Sequence, residues 1–226
     1  MKLSHKILIF ALMAAGSFFS AFATNNWKHI VGKTGKMAVC RGCNFQGEDV
    51  RAFFGSMREQ GFVLDVREAN FKGANLEGVD LTGSYINGAN LTGANLKDAK
   101  LVKVFAAGTI FDNAHLEGAV LENINATLSS FKGAIFSDAT TVNKCYFFWS
   151  DFRNSNIDTA TIDANSEFKK ALYYSLVINK KSSMAVYYKH HCKNDTDSLG
   201  YQPSSDYDKE KELAVKYVSG ILKRST

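Results

Sequence analysis

From Asp65 to Phe136 a large apolar residue recurs at every fifth position, a spacing that neither a helix, with its period of 3.6, nor a strand, with its period of 2, can gather onto one face. Phe71, Leu76, Leu81, Ile86, Leu91, Leu96 and Leu101 keep the phase, followed by Phe111, Leu116, Leu121, Phe131 and Phe136. Two places before each stands a compact residue, such as Ala69, Ala74, Ser84, Ala89, Ala94, Thr109 or Ala134. Glycine often closes the unit, as at Gly73, Gly78, Gly88 and Gly93. Such a chain turns a corner once per unit and points the apolar residue and its compact companion inward. The pattern departs at Ala106 and Ala126, where the central residue is undersized, and over 140–144, where the register slips. A second tract, one residue out of phase, runs through Phe147, Phe152, Ile157 and Ile162, with Cys145, Ser150, Ser155 and Ala160 in the compact place.

The units Ala69-Asn-Phe-Lys-Gly73, Ala74-Asn-Leu-Glu-Gly78 and Ala89-Asn-Leu-Thr-Gly93 resemble those of the pentapeptide-repeat family. The resemblance implies an all-β solenoid, a right-handed quadrilateral β-helix with four units to the coil. About five coils are expected over 64–165, with a short helical insertion before them and a helical cap over 166–226. Coils stack about 4.8 Å apart, so residues twenty apart should lie one above another. That register puts Asn70 on Asn90, Asn75 on Asn95, Asp80 on Lys100 and Tyr85 on Phe105. Tyr85 and Phe105 then point outward and call for a cover or a partner.

Both ends of a stack need closing. Residues 24–63 read as the N-terminal cap, opening with Cys40-Arg-Gly-Cys43 and the good unit Cys43-Asn-Phe-Gln-Gly47. A short amphipathic helix over Asp49–Gln60 carries Phe53, Phe54 and Met57 on one side, an apolar face able to cover Tyr85 and Phe105. At the other end Ser166 can N-cap a helix holding Phe168, Leu172 and Leu176. Lys193–Asp208 reads as a loop, and 208–224 as a charged helix with Leu213, Tyr217, Ile221 and Leu222 inside. In Tyr146-Phe147-Phe148-Trp149 the inward place falls to Phe147. Tyr146, Phe148 and Trp149 are left outward, as a partner surface or as the seat of the C-terminal helices. The seat is favoured because a helix follows at once.

The leader constrains the compartment. Lys2 and Lys6 precede an apolar run from Ile7 to Phe22, and Ala21-Phe22-Ala23 suits a signal peptidase. Residues 1–23 therefore read as a signal peptide cleaved between Ala23 and Thr24, with a retained anchor as the rival. A cleaved product is periplasmic or secreted and has no stable membrane span. There Cys40 and Cys43 could form a disulfide, or stay reduced and buried as inward residues of a first coil. Cys145 occupies a compact inward place, and Cys192 is left over or pairs with it. His190-His191-Cys192 and the Cys40/Cys43 pair lie at opposite ends of the stack, so no metal site is expected.

No phosphate loop, dinucleotide fingerprint, Gly-x-Ser-x-Gly or His-Glu-x-x-His occurs, so neither a catalytic residue nor a cofactor is expected. The chain has 27 basic and 22 acidic residues, but 64–139 has six basic against nine acidic. Neither figure demands a nucleic acid partner. The expected role is a non-catalytic, exported interaction or scaffold module whose partner is another protein. The resemblance brings an alternative, a DNA-mimicking topoisomerase inhibitor, which the mild charge and the leader disfavour. A secreted host-directed effector is also compatible.

Overall fold

Each unit folds into one straight side and one corner, and hydrogen bonds close the corner. The N–H of the compact residue donates back to the carbonyl of the preceding central residue: Ala74 to Phe71 at 2.9 Å, Val79 to Leu76 at 3.1 Å, Ala94 to Leu91 at 3.0 Å. This is a type II turn, whose third residue needs a positive φ. Gly78 supplies +66° and Gly93 +64°. Where glycine is missing, short polar residues such as Asn113 and Asn123 take the place, but so do Leu128 and Trp149, both at positive φ. The computed structural model describes residues 28–32, 35–163, 165–168 and 171.

The sides stack into four parallel ladders, so the solenoid is four-sided. Side A carries Val39, Asp65, Tyr85, Phe105, Asn125, Tyr146 and Glu167 in succession. Side B carries Asn44, Asn70, Asn90, Ile110, Ser130 and Asp151, and side C Asp49, Asn75, Asn95, His115 and Ile135. Side D begins with Asp80 on Lys100 and continues through strands β4 (Lys100–Val102), β5 (Val120–Glu122), β6 (Thr141–Asn143) and β7 (Thr161–Ile162). Backbone bonds run from rung to rung, as in Leu76 N–H to Asn95 O at 2.7 Å and Asn95 N–H to Ala74 O at 2.9 Å.

The four stackings expected from the twenty-residue register are present. Of the two stacked amide pairs, Asn95 donates to Asn75 at 3.3 Å, while the Asn70 amide donates to the rung before it, to Asn44 and Gln46, both at 3.1 Å. Asp80 does lie over Lys100, but its ion pair is with Arg58, at 3.7 Å.

The departures in the repeat have a packing reason. At Ala106 and Ala126 the central residue is small, and the companions two places earlier are Val104 and Ile124, all four buried. The large and compact places have exchanged contents, so the volume inside the coil is kept. The neighbouring column fills out as well, with Phe111, Phe131 and Phe152 stacked at 4.6 and 4.7 Å. Polar compact residues are satisfied against the preceding rung: Thr109 Oγ1 donates to Ile86 O, Ser129 Oγ to Ala106 O and Ser150 Oγ to Ala126 O, at 2.7–2.8 Å.

The register slip is one extra residue at a corner. Thr140 takes the buried compact place that Ala119 holds one rung earlier, and the surplus is absorbed over 137–139, where Ser137 N–H donates to Thr140 Oγ1. This lies just before the 140–144 stretch that the sequence suggested.

At the N-terminal end β1 (Lys28–Gly32) pairs antiparallel with β2 (Gly35–Val39), which runs parallel to β3 (Phe62–Asp65). Helix α1 (Arg51–Glu59) stands where the fourth side of this first coil would be. It does not cover Tyr85 and Phe105. Its Phe54 and Met57 are buried, and Phe54 meets Phe45 and Phe71 edge-on at 5.8 and 5.9 Å. The apolar face turns inward because the open end of the core offers far more apolar area than two outward rings.

Ser166 is likewise not a helix cap. It is fully buried, Glu167 pairs with Tyr146, and Phe168 stacks on Phe147 at 4.8 Å, so 166–168 continue the solenoid. Phe168 reaches more apolar surface on the stack than a first helical turn would offer it. The leader with Ala23 and Thr24, the C-terminal helices expected beyond Ala171, and His190, His191 and Cys192 lie outside the described residues.

Candidate interaction face

Side A gathers outward aromatic residues that are far apart in sequence. Tyr85 and Phe105 stack at 4.8 Å with their planes 6° apart, so their edges, not their faces, meet solvent. Phe105 is 45% exposed. Tyr146 stands on the same ladder, beyond Asn125, and is 43% exposed. Phe148 lies 6.0 Å from Tyr146 and Trp149 lies 6.4 Å from Phe148, extending the strip half-buried around the next corner. The sequence presented two clusters, and the solenoid makes them one strip. Counting twenty residues per rung, plus one for the slip, would have joined Phe105 to Tyr146.

Charge frames the strip. Lys103 and Lys144 occupy the corner positions just before Phe105 and Tyr146, both at positive φ and both exposed. Neither makes an ion pair among the described residues. At the other end the Arg67 guanidinium sits 5.7 Å from the centre of the Tyr85 ring. Arg67 grips Asp65 with two bonds of 2.8 Å, and Arg41 Nε reaches the same carboxylate at 2.9 Å. Burial pushes the Asp65 carboxyl up, against the Arg41 hydrogen bond and charge that pull it down. Sequence reasoning missed this cluster; the alternation Asp65-x-Arg67 at the foot of the Tyr85 ladder was the available signal.

Cys40 and Cys43 are joined by a disulfide, their Cα atoms 5.5 Å apart, and both are buried. The bridge spans the corner that carries Arg41, so it helps present that guanidinium to Asp65. Cys145 is a free, buried thiol. Its Sγ donates to Leu121 O and Asn143 O, each at 3.3 Å, and burial pushes its pKa up to about 12. Among the described residues there is no cluster of three metal-ligating side chains and no helix long and apolar enough to cross a membrane.

The family model for pentapeptide repeats matches residues 65–104 and 109–140, in eight copies. No curated protein matches. Similar solved structures include a pentapeptide-repeat protein of the Arabidopsis thaliana thylakoid lumen, at 23% identity and a TM-score of 0.34, covering 52% of this chain and 66% of that one. A pentapeptide-repeat protein of the cyanobacterium Cyanothece 51142 matches at 17% identity and a TM-score of 0.37, covering 61% and 88%. The plasmid-mediated fluoroquinolone resistance protein QnrB1 matches at 17% and 0.25, covering 60% and 91%. These overlaps are loose, and the assignment rests on the family model together with the five-residue units and their four ladders. Residues 65–104 and 109–140 are thus a block of pentapeptide repeats.

Proposed function

We propose that the chain is an exported, non-catalytic module that binds another protein through side A. The observation that carries this reading is the strip itself: Tyr85, Phe105 and Tyr146 on a single rigid ladder, two of them more than two-fifths exposed. Aromatic edges held on a rigid backbone bind at little entropic cost, which is why such residues dominate interface energetics. Ile110 and Ile135 are also exposed, but their ladder neighbours Asn90, Ser130 and His115 are polar, whereas Phe105 stacks on Tyr85 and Tyr146 meets Phe148. Export is supported by the leader and fits the Cys40–Cys43 disulfide, a bond that persists in oxidising compartments.

The test is retention of a partner from envelope extract by the immobilised full-length chain, against the double variant Phe105→Asp/Tyr146→Asp. Retention of a defined protein by the wild type and roughly tenfold less by the variant is expected, since losing one such anchor costs more than 1 kcal/mol. Equal retention by both, or none by either, overturns the reading.

A further inference from the structure

We infer that side A packs against side A of a second copy of this chain, in an antiparallel dimer whose two-fold axis runs between the rungs of Phe105 and Asn125. The inference rests on the reading of side A as a binding face and names what covers that face while no other protein does. An axis lying in the interface and along the strands reverses the order of the rungs and keeps each corner on its own side. Asp65 then faces Glu167, Tyr85 faces Tyr146 and Phe105 faces Asn125. The exposed Phe105 ring meets the short, exposed Asn125 of the other copy, and the contact occurs twice. The corner between sides A and B repeats the fit. Its positive-φ places are held by Gly88, Gly108, Leu128 and Trp149 on successive rungs, so Trp149 falls over Gly88 and Leu128 over Gly108. At each of these places bulk meets bare backbone.

Charge selects this register over its neighbours. At the corner between sides D and A, Lys103 comes opposite Glu122 and Asn123 of the other copy, again twice. Neither Lys103 nor Glu122 makes an ion pair among the described residues. Moving the axis half a rung one way sets Lys103 on Lys103, and the other way sets it on Lys144. A parallel dimer, with its axis along the solenoid, would set Glu167 on Glu167. In the chosen register Lys144 faces Gly83 and meets no cation. The ends agree as well. Lys36, Arg41 and Arg67 outnumber Asp65 and Glu68 at the foot of the strip, while Asp163 and the exposed Glu167 outnumber Lys144 near its head. Each positive foot therefore lies on a negative head. From Asp65 to Glu167 is five rung spacings, about 24 Å. A face of that length sits at the small end of specific interfaces, under about 1,200 Å² in total, so the dimer is weak, with a dissociation constant of about 1 μM or more.

Sedimentation velocity of the full-length chain between about 1 and about 300 μM reads the equilibrium. The expected result is a reversible passage from monomer to dimer. Lys103→Glu alone and Glu122→Lys alone should each weaken the dimer roughly tenfold or more, since each sets like charges together at two places. An equimolar mixture of these two variants should recover it to within about threefold, because only the mixed pair has opposite charges at both places. Monomer at every concentration, a dimer indifferent to either reversal, or a mixture as weak as its components would each overturn the inference. So would a dimer that Phe105→Asp/Tyr146→Asp leaves undiminished. The binding-face reading survives any of these results if the wild type still retains a partner from envelope extract that Phe105→Asp/Tyr146→Asp loses; retention by neither brings down that reading too.

Discussion

At the scale of single residues, the corners decide what each position tolerates. Gly93 and Gly118 share nearly the same positive φ, but an added Cβ at Gly93 meets nothing, whereas at Gly118 it runs into the Asp98 carboxylate on the rung before. Gly93→Ala should cost about 1 kcal/mol of backbone strain. Gly118→Ala adds only the displacement of the Asp98 carboxylate, the free end of an exposed side chain, so it should cost about as much, and urea midpoints of the two variants side by side check this. Asp151 sets a pH dependence. Burial raises its carboxyl, but the fork of Arg153, with Nε 2.8 Å from Oδ1, and the Lys132 charge bring it below the ordinary carboxylate value. A lowered folded-state pKa means stability that is present above the unfolded value of about 3.9 and lost as pH falls through the folded one. The stability gap between wild type and Asp151→Asn should therefore be widest near pH 6 and close below pH 3 in paired denaturation curves. Inward and outward places were legible at this scale, because the period names them. Ser166 was misread because a serine before a helix and a serine in a compact inward place look the same until Phe168 two places later is counted.

At the scale of the element, the unit keeps a volume rather than a residue. Val104 with Ala106 and Ile124 with Ala126 invert the usual small-then-large order and stay buried. Ala106→Leu alone should overpack at a cost of about 1–3 kcal/mol, and Val104→Ala alone should leave a cavity worth about 2 kcal/mol. The double variant restores the ordinary unit, so its loss should be well below the sum; a thermodynamic cycle on the four proteins reads the coupling. Additive losses would mean that the exchange is incidental. Helix α1 shows what one strand of text withholds. Its apolar stripe of Phe54 and Met57 was readable, but a stripe names no receiver, and only the open end of the coil beside Phe45 and Phe71 supplies one. The candidate strip was half legible for a related reason: its members were visible singly, while their alignment needs the corner insertion to be placed.

At the scale of the molecule, compartment and redox state can be read together. Intact mass of the protein from each cell fraction, alkylated without reduction, should show an exported product beginning at Thr24. Cys40 and Cys43 should be protected by their bond, and Cys145 should label only after denaturation, since its pKa of about 12 leaves almost no thiolate at neutral pH. A full-length cytoplasmic product with the Cys40–Cys43 pair alkylated would reverse the proposed export.

The ladder also has a consequence for what the chain can acquire. Most rungs close a loop of twenty or twenty-one residues, while the first, interrupted by α1, pairs Asn44 with Asn70 and so closes one of twenty-six. The entropy of closure grows only with the logarithm of loop length, so the six added residues raise it by about 0.2 kcal/mol. An outgrowth at a corner is thus nearly free to the rungs on either side of it. Side helices, longer loops or tethered segments can be gained or lost by such a scaffold without retuning its core, and its binding specificity can drift while its architecture stays put.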